Sequence, residues 1–452
     1  MQYFFILGRN PELSLAELRA VLPAGYRVLA CSREALIVEC TELEVERLMK
    51  RLGGTIKIGE ILTPPLCHSE SRLGGTKDLA RMRGHAAEIL QSLRSFRMTE
   101  NCDRKFFLGL SAYALDDKAK LPTVRQLREL GMEFKRELQA QGRSVRLVTS
   151  KDIALSSVIV KKEKLLTQGA EIVLLYGASK PSNQSLTPNP YTLTPQFIGR
   201  TLAVQEFEQA SARDYGRPAR GMKVGMLPIQ LAKIMINLAR VPLRRGSSSG
   251  SPEVEPPYIP TILDPFCGFG TILSEALLMG YTHLIGSDLE QKMVNASKQN
   301  LRWVQTEFPI SNFQFPKFFQ SPVEKISAHI PAQSVDAIVT EPYLGPTRGI
   351  KNEELKIKNE LTNLYVNSFR EFSKILKPGG RVVFIMPAFR SRDGLIKTSA
   401  TVLPKIKNLG FTPIPLLPQN SKFYILHSAF SITYSRPDQR VLREIFVLEF
   451  KK

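Results

Sequence analysis

Short apolar runs and helically spaced apolar residues succeed one another along the first 180 residues. Tyr3 to Leu7 and Ala35 to Cys40 are strand-like, while Leu13 to Leu22 and Leu43 to Leu52 have helical spacing, so residues 1–70 are predicted to form a small α+β unit. Pro, Ser and Gly gather around Pro64 to Gly75 and mark a boundary. Beyond it the pattern predicts a helix over Leu79 to Leu93, a strand over Lys105 to Ser111, a helix over Thr123 to Gln141 and a strand over Val145 to Thr149. Two further strands are predicted at Ser157 to Val160 and Glu171 to Tyr176. Residues 179–195 repeat Pro, Ser, Asn and Thr and read as a linker or an exposed hairpin loop.

A helix is then predicted over Leu227 to Leu238, and Arg244 to Pro252 reads as a surface loop. The remainder alternates helical segments with strands at Thr261 to Leu263, His283 to Ser287, Ala337 to Thr340, Arg381 to Met386, Phe423 to Phe430 and Glu444 to Phe450. Alternation of this kind predicts an α/β fold with a parallel, doubly wound sheet, closed by an antiparallel hairpin.

The chain has 452 residues, which at about 150 residues per domain suggests about three domains. Its 43% hydrophobic and 23% charged residues exclude global disorder. Against 42 acidic residues stand 62 Lys and Arg, a formal charge of +20 that attracts polyanions such as nucleic acid. An acidic membrane surface is the competing partner, yet the chain lacks an apolar run of about 18 residues and any lipidation signal. The cysteines Cys31, Cys40, Cys67, Cys102 and Cys267 lack C-x-x-C spacing and an accompanying His cluster, so neither a metal site nor a disulfide framework is expected. The N-terminal apolar run is not preceded by a basic region, which makes cytoplasmic residence the expectation.

Chemistry enters where the strand Ile262-Leu263 meets Asp264-Pro-Phe-Cys-Gly-Phe-Gly-Thr271 and then a helical segment. Gly268 and Gly270 permit a tight turn and close backbone approach at a helix start. A carboxylate at Asp264 would repel a pyrophosphate but would pair with the α-ammonium of S-adenosylmethionine. Asp288 ends the next strand, where a carboxylate takes hydrogen bonds from ribose hydroxyls. Phe266, Thr271 and Leu289 flank these groups, and Ser321 stands at the expected adenine contact. Cys267 reads as a small packed residue.

The strand Asp336 to Thr340 ends in Glu341-Pro-Tyr-Leu-Gly-Pro346. That places a carboxylate and the Pro342 carbonyl at the sheet's carboxyl edge, where two acceptors for the N–H groups of a base amine favour a pyramidal nitrogen. Tyr343 offers a stacking face for an extruded base. Glu341, Pro342 and Tyr343 are thus the candidate catalytic residues.

At these residues the chain resembles the THUMP-containing tRNA guanosine N2-methyltransferases that modify guanosine 10. Arg213-Asp-Tyr-Gly-Arg-Pro-Ala-Arg220, Gly225-Met-Leu-Pro228 and Leu231 to Ala239 are similar to the segment before that family's cofactor loop. Tyr434-Ser-Arg-Pro-Asp-Gln439 is similar to its C-terminal hairpin, and Ser157 to Leu165 to the end of a THUMP domain. The resemblance implies an N-terminal α+β, ferredoxin-like domain (1–70), a THUMP RNA-binding domain (71–180), a linker and helical segment (181–258) and a Rossmann-like class I methyltransferase domain (259–452). It further implies S-adenosylmethionine as cofactor and tRNA as partner, and leaves open whether a small activating protein is needed. Lys161, Lys162 and Lys164, with Arg143, Arg146, Lys151, Arg217 and Arg220, are then expected to meet phosphates.

The family's acceptor motif is Asp-Pro-Pro-Tyr, whereas this chain has Glu341-Pro-Tyr-Leu344, and Gly221 stands where the family commonly has an acid. Two alternatives stay open: an amino-methyltransferase for ribosomal RNA or DNA, and an inactive THUMP RNA-binding protein.

Overall fold

The computed structural model describes residues 1–63, 105–177, 195–221, 226–242, 258–308, 310, 313–346, 354–391, 394–417, 430–435 and 439–452. Contacts divide the chain into two units: Met1–Pro11, Leu22–Lys50 and Thr55–Phe207 form one, and Glu12–Val21, Arg51–Gly54 and Glu208–Lys452 the other.

The first unit is built on β1 (Gln2–Leu7), β2 (Arg27–Cys31), β3 (Ala35–Glu39), β4 (Thr55–Thr63), β5 (Phe106–Ala114), β6 (Val145–Val148), β7 (Gly169–Tyr176) and β8 (Phe197–Val204). Among the described residues they form a single sheet in the order β2-β3-β1-β4-β8-β7-β5-β6. Strands β4 and β8 join its halves as antiparallel neighbours, so the stretch read as a linker and helical segment, 181–258, contributes a central strand. Strands β4 and β8 each carry charge into the sheet. Lys57 of β4 is buried against Glu171 of β7, whose carboxylate also accepts from the hydroxyls of Ser111 and Thr201 at 2.5 and 2.6 Å. Arg200 of β8 pairs with Glu60 of β4. Gly59 and Gly199 leave room for the buried Phe4 ring, which a Cβ at either position would meet within 2.6 Å.

The helix Val124–Ala140 starts from a capping box between Thr123 and Gln126 and buries Leu127, Phe134 and Leu138. One expectation fails: Ser157 to Val160 is not a strand but part of the helix Ser157–Lys162. The Ser156 hydroxyl accepts from the Ile159 amide at 3.3 Å, and this cap with the burial of Val160 overrides the β-branched run. The helix expected over Leu79 to Leu93 lies outside the described residues.

The second unit contains β9 (Thr261–Asp264), β10 (His283–Asp288), β11 (Lys317–Gln320), β12 (Val335–Thr340), β13 (Leu376–Ser391), β14 (Gly394–Lys397), β15 (Phe411–Pro413), β16 (Ser431–Tyr434) and β17 (Val441–Phe450). Their order is β11-β10-β9-β12-β13-β17-β15, with β14 beside β13 and β16 beside β17. Strands β11 through β13 pair in parallel and β17 runs antiparallel to β13. This is the expected mostly parallel sheet, with an antiparallel end broader than one hairpin. The strand expected over Phe423 to Phe430 lies almost wholly outside the described residues, and β16 begins just after it. Helix Glu354–Ile375 packs Tyr365 edge-on against Phe384 and Phe369 edge-on against Phe411 and tilted against Phe384, with ring centroids 4.8–5.1 Å apart. That aromatic layer joins the helix to the sheet face.

Candidate active site

The strand order reverses between β9 and β12, and at such a reversal the loops leaving the two strands part and open a crevice at their carboxyl ends. Asp264 closes β9 and is almost fully buried. Its Oδ1 accepts from the Thr340 hydroxyl at 2.7 Å and the Phe266 amide at 3.2 Å, while Oδ2 has no hydrogen-bond partner among the described residues. Burial pushes this carboxyl up to about 7; Asp288 and Glu341 add to the rise and the two hydrogen bonds oppose it.

The turn after Asp264 needs its glycines. Gly268 and Gly270 have φ of +49° and +77°, and a Cβ on Gly270 would lie 2.9 Å from Leu301 and 3.0 Å from the Ser297 hydroxyl. Gly270 caps the helix Thr271–Leu278 and so shapes the turn without lining the cavity, whereas Gly268 lines it. Cys267 is buried, with its thiol raised by burial, and packs against Ser297 as expected. Asp288 accepts from the Gly268 amide through Oδ2 at 3.0 Å and from the Glu290 amide through Oδ1 at 3.1 Å. Loop and carboxylate therefore fix each other, and burial raises this carboxyl too.

Two expected contacts are placed differently. The Ser321 hydroxyl turns back to donate to the Pro322 carbonyl at 2.9 Å and stays outside the cavity wall, which Pro322, Val323 and Glu324 form instead. Arg217, expected at RNA, is buried. Its guanidinium donates to the Thr271 hydroxyl at 2.8 Å, the Arg213 carbonyl at 3.0 Å and Asp214 at 3.3 Å. Arg213 beside it makes a bidentate bond to the buried Glu275 at 2.8 and 3.2 Å. These arginines brace the helix that follows the glycine turn.

On the acceptor side Glu341 follows β12 and is mostly covered; its carboxylate pairs with Nε of Arg443 on β17. Burial raises the Glu341 carboxyl above its ordinary range, and Arg443 offsets only part of that rise. Pro342 is buried, and Tyr343 is 59% exposed. Its backbone carbonyl accepts from the fully buried Tyr365 hydroxyl at 2.7 Å, which anchors the loop from below. Sequence reasoning missed Thr340, Tyr365 and Arg443.

Asp264, Asp288, Leu289, Glu341, Pro342 and Tyr343 line one cavity of about 830 Å³. S-adenosylmethionine fits its donor set: Oδ2 of Asp264 is available to an ammonium, Asp288 to ribose hydroxyls, and Leu289, Met293 and Val323 offer apolar surface for adenine. Of the other residues expected to meet RNA, Lys151, Lys161, Lys162, Lys164 and Arg146 are exposed and Arg143 half-buried in the first unit, while Arg220 is exposed in the second. Among the described residues no helix is long and apolar enough to cross a membrane.

Residues 259–409 match the family model described as an RMKL-like methyltransferase domain. A tRNA (guanine(10)-N2)-dimethyltransferase of Methanothermobacter thermautotrophicus is 31% identical over 46% of this chain and 52% of its own length. A probable tRNA (guanine(10)-N2)-dimethyltransferase of Methanothermococcus thermolithotrophicus is 31% identical over 34% of this chain and 78% of its own. The match thus spans about half of the first relative and most of the second. The crystal structure of TrmN from Thermus thermophilus superposes over 100% of both chains with a TM-score of 0.50 at 16% identity, a likeness of fold.

Proposed function

The chain belongs to the tRNA (guanine(10)-N2)-dimethyltransferase family, and from that premise we propose that it methylates the exocyclic N2 of a guanosine in tRNA, at position 10. The observation that carries the reading is that Glu341 and Pro342 share one cavity with Asp264 and Asp288. S-adenosylmethionine supplies an electrophilic methyl group on a sulfonium sulfur. Asp264 would hold its ammonium and Asp288 its ribose, and Tyr343 would stack on the extruded guanine. The Glu341 carboxylate and the Pro342 carbonyl accept the amine's N–H bonds, turning the nitrogen lone pair out of conjugation and toward the methyl group. Glu341 would receive the proton that the nitrogen gives up on methylation.

The +20 charge and the exposed Lys161, Lys162 and Lys164 support an RNA partner, and we place the reaction in the cytoplasm. The test is competition for a labelled methyl group between tRNA, ribosomal RNA and duplex DNA. Label in tRNA guanosine is the expected result; label in the other two, with tRNA untouched, would overturn the substrate.

A further inference from the structure

Glu341 occupies the place of an aspartate in the motif that its loop resembles, and its extra methylene adds a rotatable bond between backbone and carboxylate. A longer arm needs something outside the loop to fix it. The groups that act on it are Asp264 from β9, Tyr365 from the helix Glu354–Ile375, the adjoining Tyr343 loop and Arg443 from β17. Asp264 is acidic and the tyrosines are neutral, so Arg443 supplies the positive charge. The backbone of Arg443 is held between two strands, opposite Pro387 of β13 and Tyr434 of β16. Its side chain is 9% exposed and donates through Nε to Oε1 of Glu341, and Oε2 has no hydrogen-bond partner among the described residues.

We propose that Arg443 is a positioning residue for methyl transfer: it holds Oε1 of Glu341 in place and leaves Oε2 to take the acceptor N–H. The inference rests on the amine-methylating reading given above. Without the guanidinium, burial and the neighbouring carboxylate favour a protonated acid, which offers one acceptor fewer and rotates freely.

The experiment compares wild type with Arg443→Met and Arg443→Lys in the full chain. Labelled glutamate carboxyl signals are titrated by NMR, with Glu341 identified by its loss in Glu341→Gln. In Arg443→Met the Glu341 carboxyl should titrate at least about one pH unit higher, because a lost ion pair is worth that much or more. Turnover near neutral pH should fall by about tenfold or more and recover as pH rises, with S-adenosylmethionine affinity within about twofold of wild type. Arg443→Lys should restore both the titration and most of the turnover. An unchanged Glu341 titration, or a pH-independent loss that lysine does not mend, would overturn the proposal. Should Arg443→Met melt before titration, Arg443→Lys decides the matter alone: it must titrate Glu341 close to wild type and keep most of the turnover. If wild type methylates no tRNA, the substrate reading falls while the titration still decides the role of Arg443.

Discussion

Asp264 joins sequence, burial and chemistry in one side chain. Its carboxyl moves from an ordinary 3.8 to about 7, because burial disfavours the charge. A folded value above the unfolded one contributes stability that is full at acid pH and lost as pH rises through about 7. Cofactor-free protein should therefore lose stability from this group between pH 4 and 7, and a bound ammonium should reverse that loss. Below pH 7, cofactor binding should release about one proton, with affinity falling up to about tenfold per pH unit; calorimetry in buffers of different ionisation enthalpy reads it directly. Replacing Glu341 by Ala should lower turnover about 10²–10³-fold and leave cofactor affinity nearly unchanged, as single-turnover rates and titration of bound cofactor would show. Asp264, Gly268 and Asp288 were legible in sequence because they lie in one local strand, turn and strand. Arg443 was not, since it reaches Glu341 across 102 residues of chain. Ser321 misled because a hydroxyl can satisfy itself on its own backbone neighbour.

The same contrast between local and distant information governs the elements. Strands β9, β10 and β12 showed plainly as apolar runs leading into the acids Asp264, Asp288 and Glu341. Strands β4 and β8 stayed hidden, because Lys57, Glu60 and Arg200 find their counter-charges only once the sheet is assembled. Ser157 to Val160 had strand-like residues, but the Ser156 cap made them helical. Arg217 looked like a surface charge ready for phosphate, and with Arg213 it proved to be a brace on the helix Thr271–Leu278. Arg213→Ala would strand the buried Glu275 and should cost about 3–5 kcal/mol of stability, read from denaturant unfolding. Arg217→Met should weaken cofactor binding several-fold, since Thr271 loses its partner at the first residue of that helix, and no change in affinity would argue against this bracing.

Across the molecule, a formal charge of +20 favours a polyanionic partner, and the exposed lysines of the first unit offer it a surface. Affinity for tRNA should fall steeply with salt, about 0.7–0.9 logarithmic units per decade for each phosphate contact. Lys161→Glu with Lys162→Glu should weaken tRNA binding at low salt and leave cofactor binding untouched, measured by filter binding and calorimetry. The central claim is that the cofactor crevice and the acceptor loop form one site for an amine of tRNA guanosine. Its most direct measurement incubates the protein with labelled S-adenosylmethionine and a tRNA transcript, and then maps the labelled nucleoside by nuclease digestion and mass spectrometry. The predicted product is N2-methylated guanosine at position 10, absent when guanosine 10 is replaced by adenosine. Intact cofactor binding with no label in any tRNA, or label on another base, would contradict it.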